Sequence, residues 1–291
     1  MSTLHRWHVT VLRSQDNATA ANGFEDIATS LVWALMKLDL PVTYQDNNLR
    51  RDAWNVVFGS HLLGPAEMEV LNQMPNNTIL YNFEQLPRQL AQFPGYAELL
   101  SRHSVWDYSV ENVRWLKSIG VEVPVDYVPP GYTPVWERVP YGTERDIDIL
   151  FIGGVRDRRR KILDNLHLAG LQIATPFPVY GIERDTWVAR SQILLNIHQW
   201  DTFRHPELLR LSYFWSNRSA VVSEQVDLDV LDSRYLNSAE WVPENGLVDT
   251  CRDLLSNSAK CAAMREMAYE MARDNPYIDT VRKVVGKYTR L

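Results

Sequence analysis

The chain has 291 residues, 45% hydrophobic and 23% charged, the balance of a soluble globular protein with room for two domains of ordinary size. A net charge of −6 argues against general binding of nucleic acid or anionic lipid over the whole surface, although Arg156 to Lys161 is locally basic. No apolar run approaches the roughly 20 residues that span a bilayer, and the opening MSTLHRWHVTVLRSQD lacks the apolar core of a signal peptide.

Cys251 and Cys261 have neither metal-ligand spacing nor a disulfide framework, so they read as packed thiols in a reducing compartment. The expected address is the cytoplasm, with peripheral contact with a membrane left open.

Trp7 to Leu12 is β-branched and alternating, which predicts a first strand. A polar tract ending in Asn22-Gly23 leads to a predicted helix over about Ile27 to Leu38. Gly23 allows a ligand close to the backbone, and the helix start behind it suits an anion. Glu25 and Asp26 fall in the first turn, where the helix dipole stabilises carboxylates whatever their function. PVTYQD, WNVVFGSH and NTILYNFEQL predict the next three strands, with His61 and Glu84 at their carboxyl ends. YAELLSRHSVWDYS passes from helix to a fifth strand. Ser109 is placed to cap the helix ENVRWLKSIG, and Gly120 to close it. The strand VPVDYV completes a half in which strands alternate with helices, the pattern of a doubly wound parallel sheet.

VPPGYTPVWERVPYGTERD, rich in proline and glycine, reads as a linker. The pattern then restarts. DIDILFIGG is a strand ending in Gly153-Gly154, followed by the basic helix VRDRRRKILDNLHLAG, ended by Gly170. After an irregular strand and a short helix comes the stretch Ile193 to Glu224. ILLNIH reads as a buried strand, DTFRHPE as a loop with Asp201 or Thr202 to cap and Pro206 in the first helical turn. Leu208, Leu209, Leu211 and Phe214 give the helix its apolar stripe, and SAVVSE is the next strand. In open α/β sheets ligands lie beyond the carboxyl ends of strands, which is where His198, Arg204, His205, Glu207 and Glu224 fall. A solvated loop accounts for any one of them; several at one sheet edge point to a site. Three further helices end the chain, the last from about Tyr277 after Asn275-Pro276. The expected division is 1–135, 136–275 and a terminal helix in 276–291 that returns to the first domain.

Gly153, Gly154, Arg156, Arg158 and Arg159 form the stronger anion signal, because glycines admit phosphate oxygens to backbone N–H groups and arginines bind them bidentately. This is neither G-x-G-x-x-G nor a P-loop, which argues against a dehydrogenase. Neighbouring helical residues such as Arg159 and Arg160 diverge, so part of the cluster is expected to be a solvated face.

The strand ending in FIGG before an Arg-rich helix, and the run from LLNIHQ through RHPE to AVVSE, resemble the GT-B glycosyltransferases. The likeness is to the "glycosyl transferases group 1" type and the CgeB-like set. ILYNFEQL and VWDYSVEN share its flavour, and the motif support lies mainly in residues 150 to 224. The resemblance implies two Rossmann-like α/β domains facing across a cleft, with the C-terminal helix crossing back to the first. It implies a nucleotide-sugar donor as co-substrate, no cofactor, and a saccharide or other hydroxyl acceptor on the N-terminal side. Arg156, Arg158 or Arg159 would take the diphosphate, and Gly23 would match the family's N-terminal glycine loop. Glu207 matches one member of the family's acidic pair for sugar and ribose. The second, eight residues on, is absent: Trp215 stands there, and Glu224 is the candidate for part of its work. An inverting enzyme needs an acceptor base, for which Glu25, Asp26, His61 and Glu84 are candidates. The Asp146-Ile147-Asp148 and Asp227-Leu228-Asp229 triplets sit in no convincing ligand loop, so no metal is expected. A non-catalytic nucleotide-sugar-binding module and a nucleotide-sugar epimerase are the alternatives.

Overall fold

The structure, a computed structural model, describes residues 6–13, 18–74, 77–93, 95–140, 142, 144–202, 204–227 and 230–288. It divides into two compact units, Met1–Gly131 with Pro276–Leu291, and Tyr132–Asn275.

The first unit is built on β1 (Trp7–Val11), β2 (Val42–Tyr44), β3 (Trp54–Phe58), β4 (Thr78–Asn82), β5 (Ser104–Asp107) and β6 (Val125–Tyr127). All pair in parallel, in the order β2-β1-β3-β4-β5-β6. Its helices are α1 (Ala18–Ala21), α2 (Glu25–Lys37), α3 (Pro65–Asn72), α4 (Tyr96–Arg102) and α5 (Val110–Ser118). α2 buries Ile27, Ala28, Leu31, Ala34 and Leu35, one stripe of a 3.6-residue period, with Glu25 and Asp26 in its first turn. Ser109 caps α5 by accepting from the N–H of Asn112, and Gly120 closes it at φ +82°. α3 was not among the predicted elements: it buries only Met68 and Leu71, too few to mark a period.

The second unit holds β7 (Ile147–Leu150), β8 (Ile173–Ala174), β9 (Ser191–Asn196), β10 (Ala220–Glu224) and β11 (Glu240–Val242). They form a second all-parallel sheet in the order β11-β10-β9-β7-β8. Around it lie α6 (Asp157–Leu168), α7 (Gly181–Arg190), α8 (Leu208–Ser216), α9 (Leu247–Ser256) and α10 (Ser258–Arg273). The period of two decides the packing: Ile149, Phe151, Ile193, Leu195 and Ile197 share one core with Ile162 and Leu166 of α6 and Leu254 of α9. Cys251 and Cys261 are free and buried in that core, and burial pushes the Cys251 thiol up to about 12. One local expectation fails here. α8 begins at Leu208, not with Pro206 in its first turn, and Glu207, rather than Asp201 or Thr202, occupies the N-cap position.

The last helix, α11 (Tyr277–Tyr288), packs against α2 and so belongs to the first unit. Tyr288 sets its ring edgewise on Trp7, Trp54 and Trp106, at 6.1, 5.0 and 6.1 Å between centroids. Its hydroxyl donates to Asp126 Oδ2 at 3.2 Å, and Lys287 pairs with the other oxygen of that carboxylate. The expectation of a terminal helix returning to the first domain holds. Among the described residues no helix is long and apolar enough to cross a membrane.

Candidate functional site

In the second sheet the connections reverse direction between β7 and β9, and that switch point is where an open α/β sheet offers a crevice to a ligand. Gly153 and Gly154 follow β7 there. A Cβ added at Gly153 would lie 3.0 Å from Phe151 Cζ, 3.3 Å from Arg210 Nη2 and 3.5 Å from Arg159 Nη1. Two guanidinium tips therefore converge over this glycine. Arg159 is only 4% exposed; its Nε donates to the carbonyl of Ile197 at 3.0 Å and Nη1 to that of Gly154 at 3.1 Å. Burial, and next the charge of Arg210, bring the Arg159 guanidinium down to about 10, so it stays charged at neutral pH. Arg210 Nη1 donates to Asn196 Oδ1 at 2.9 Å, and Asn196 Nδ2 in turn donates to Ser223 Oγ at 2.9 Å. Both arginines are thus held by neutral oxygens. Glu207 and Glu224 supply weaker, through-space compensation to Arg159.

The neighbouring arginines divide by helix register. Arg156 stands exposed at the N-cap position of α6, and Arg160 and Lys161 are exposed. Arg158 turns toward β9 and β10, where its Nε donates to Asp201 Oδ1 at 2.5 Å and Nη1 to Glu224 Oε2 at 2.8 Å. Nη1 also reaches the carbonyl of His198 at 2.9 Å, and Nη2 reaches Glu244 Oε2 at 3.1 Å and the second oxygen of Glu224. Its hydrogen bond to Glu224 is the main cause of a raised pKa. Glu224 is 3% exposed and accepts also from the N–H of His198 at 2.7 Å. His198 is itself buried, with Nε2 3.3 Å from the carbonyl of Gln225 and no hydrogen-bond partner for Nδ1; burial lowers its pKa and keeps the ring neutral. Arg204 donates from Nε to the carbonyl of Asp201 at 3.3 Å. The structure therefore brings Gly153, Gly154, Arg159, Glu207, His198 and Glu224 to one sheet edge, and leaves Arg156 at the surface.

In the first sheet the switch point lies between β1 and β3. His61 follows β3, buried among Phe24, Phe93 and Tyr96 at centroid distances of 5.7, 4.9 and 5.9 Å. Its Nε2 lies 3.2 Å from Glu84 Oε1. Burial pushes the imidazole down to about 4, so the neutral ring faces a carboxylate that is still partly open to solvent. Glu25 is instead ion-paired with Arg13, which also donates to Asn22 Oδ1 and Asp46 Oδ2 at 2.6 Å each. Gly23 lies within a 3-10 turn, Asn22–Phe24, that runs straight into α2 rather than in an open loop. Asp26 accepts from the hydroxyls of Thr29 and Ser30 through its backbone carbonyl. Glu84, by contrast, is set against a buried histidine.

Sequence reasoning passed over Arg210, Asn196, Asp107 and Asn112. Arg210 had a signal: it stands three residues after Glu207, one turn on along α8. Among the described residues, no three His, Cys, Asp or Glu side chains group as a metal site. Asp146 pairs with Arg190 and Asp148 accepts from Gln192; in the other triplet Leu228 and Asp229 lie outside the described residues.

No family model matches the chain. Two uncharacterized proteins of Acanthamoeba polyphaga mimivirus are 29% identical over 191 residues and 27% identical over 160, and the chain spans 60% and 18% of their respective lengths. Among solved structures, a DNA-modifying β-glucosyltransferase studied with and without uridine diphosphoglucose aligns over 98% of this chain and 100% of its own, with TM-score 0.60 and 11% identity. An α-glucosyltransferase bound to UDP and a 13-mer DNA gives TM-score 0.60 at 11% identity, over 98% and 99%. Sucrose-phosphate synthase of Thermosynechococcus elongatus gives 0.56 at 10%, over 98% and 99%. Two parallel Rossmann-like sheets, a terminal helix that rejoins the first, and these whole-length alignments identify the fold of the chain as GT-B.

Proposed function

We propose that the protein is a glycosyltransferase that moves a sugar from a nucleotide-sugar donor, with a uridine diphosphate sugar as the first to test, to an acceptor hydroxyl. The observation that carries this reading is the convergence of Arg159 and Arg210 over Gly153 at the switch point of the second sheet. Breaking the sugar–phosphate bond leaves its electron pair on the nucleoside diphosphate. Guanidinium groups already fixed in place stabilise that charge without reorganising during the reaction. The diphosphate would lie against Gly153, Gly154, Arg159 and Arg210, with Arg156 and Arg204 at the rim. Glu207, His198 and Glu224 would meet the sugar and ribose, and Arg158 would hold Glu224 in position.

The first unit would present the acceptor. There Glu84 would take the proton of the acceptor hydroxyl, with neutral His61 orienting that carboxylate. One structural neighbour is called DNA-modifying and another is bound to a 13-mer DNA. A net charge of −6 disfavours tracking a phosphate backbone, so a saccharide or another uncharged hydroxyl compound fits better.

Calorimetric titration with UDP, GDP and UDP-glucose, followed by an assay of UDP-glucose hydrolysis, tests the reading. Diphosphate binding with slow hydrolysis is expected. Binding without turnover would favour a sugar-nucleotide-binding module, and no binding of any diphosphate would overturn the site.

A further inference from the structure

The turn after β4 is held in an unusual way. The backbone of Glu84 is gripped at both polar groups by side chains: its N–H donates to Asn82 Oδ1 at 3.0 Å, and its carbonyl accepts from Asn82 Nδ2 at 3.0 Å and Asn112 Nδ2 at 2.7 Å. Asn112 Oδ1 then takes the N–H of Leu86 at 2.9 Å. Both amides are locked from behind by Asp107, whose Oδ2 accepts from Asn82 at 2.7 Å and whose Oδ1 accepts from Asn112 at 3.0 Å and from the Ser109 N–H at 2.8 Å. Tyr96 closes the group by donating its hydroxyl to Asn82 Oδ1 at 2.9 Å. Asn82, Asp107 and Asn112 are each fully buried.

A tight turn needs no such apparatus. Burying an ionisable acid is costly, and among the described residues no ion pair to Asp107 offsets it: burial pushes its carboxyl up to about 8, against three hydrogen-bond donors that favour the charged form. Fully satisfied buried networks of this kind fix one geometry. The one side chain in the turn that carries a charge and is partly exposed is that of Glu84, whose carboxyl is left 3.2 Å from His61.

We infer that Asn82, Asp107 and Asn112 are positioning residues, a side-chain clamp that aims the Glu84 carboxyl at the acceptor hydroxyl. The inference rests on the transferase reading and deepens it, since it assigns what orients the base rather than what binds the donor.

The test is Asn112→Ala, with Asn82→Ser as a second variant should the first fail to fold, each compared with wild-type protein and with Glu84→Gln. UDP affinity, thermal melting, and kcat and KM for UDP-glucose hydrolysis across pH 5–9 are measured on the full chain. The expected result is a kcat at least about tenfold lower, with UDP affinity and KM within about twofold of wild type and an altered acid limb in the pH–rate profile. A folded clamp variant with wild-type kcat and an unchanged profile overturns the inference, and so does one whose loss is all in UDP affinity. Wild type that binds neither UDP nor GDP and does not hydrolyse UDP-glucose overturns the transferase reading instead, which separates the two failures.

Discussion

Gly153→Ala is the sharpest probe of the diphosphate site, because a single methyl group must enter where two guanidinium groups meet. Its Cβ would sit 3.0 Å from Phe151 Cζ and 3.3 Å from Arg210 Nη2. Gly153 does not have a positive φ, so the substitution strains no backbone and its cost is steric. Phe151 is fully buried, so its ring gives way by tenths of an ångström at about 1–3 kcal/mol, the ordinary price of overpacking. Arg210, only half-buried, is the easier group to move, and moving it pulls its guanidinium off Asn196 Oδ1 and away from the point where it converges with Arg159. A charge-assisted hydrogen bond contributes about 1.5–3 kcal/mol, so UDP affinity should fall at least about tenfold. Calorimetry gives the affinity, and a thermal melt checks that the fold survives. Arg210→Ala should reproduce the loss of affinity without the overpacking. UDP binding at wild-type strength in both variants would refute the assignment of this crevice to a diphosphate.

Arg158→Ala should lower the melting temperature of the second unit, since a carboxylate 3% exposed loses its bidentate partner, a change of about 3–5 kcal/mol; differential scanning calorimetry reads it. The His61 imidazole, pushed down to about 4, takes up fewer protons folded than unfolded. Its stability contribution is complete above the unfolded value near 6.5 and is lost as pH falls through 6.5 toward 4, by about 2 kcal/mol at pH 5. Urea melts of wild type and His61→Gln at pH 7.5 and pH 5 should show a smaller acid loss in the variant. Tyr288→Ala empties a pocket lined by Trp7, Trp54 and Trp106 and should cost about 3–5 kcal/mol, visible as a lower melting temperature with UDP affinity unchanged.

Much of the architecture is legible in the chain because burial on both faces of a parallel sheet demands continuous apolar runs. WHVTV, TILYN and AVVSE are buried at every position, as such strands must be. Helix ends were equally plain where one residue type decides them, as at Ser109, Gly120 and Gly170. What stayed hidden depends on register. Whether Arg158 or Arg159 faces the crevice follows from where α6 starts, and a run of three arginines carries no mark of it. Arg210 stands one turn after Glu207 on α8, but the glycine it meets, Gly153, is 57 positions away. The acid near Glu207 was sought eight residues on, where Trp215 is instead fully buried against Tyr235. Glu224, the acid that the sequence offers for part of that work, stands at the end of β10 with both oxygens held by Arg158.

The clamp around Glu84 shows why some site geometry has no one-dimensional signature. Asn82 and Asp107 become neighbours only through the parallel pairing of β4 with β5, which aligns those two residues across the ladder. Asn112 joins them from the first turn of α5, whose start is fixed by the Ser109 cap. Sheet register and helix start must both be right before the three side chains can meet. A one-residue slip of β5 would turn Asp107 to the opposite face and leave both amides without their common acceptor. The same strand register that builds the sheet therefore also sets the polar network at its edge. If Glu84 is the base, its aim is a consequence of how Val105 and Leu80 pack in the core beneath it.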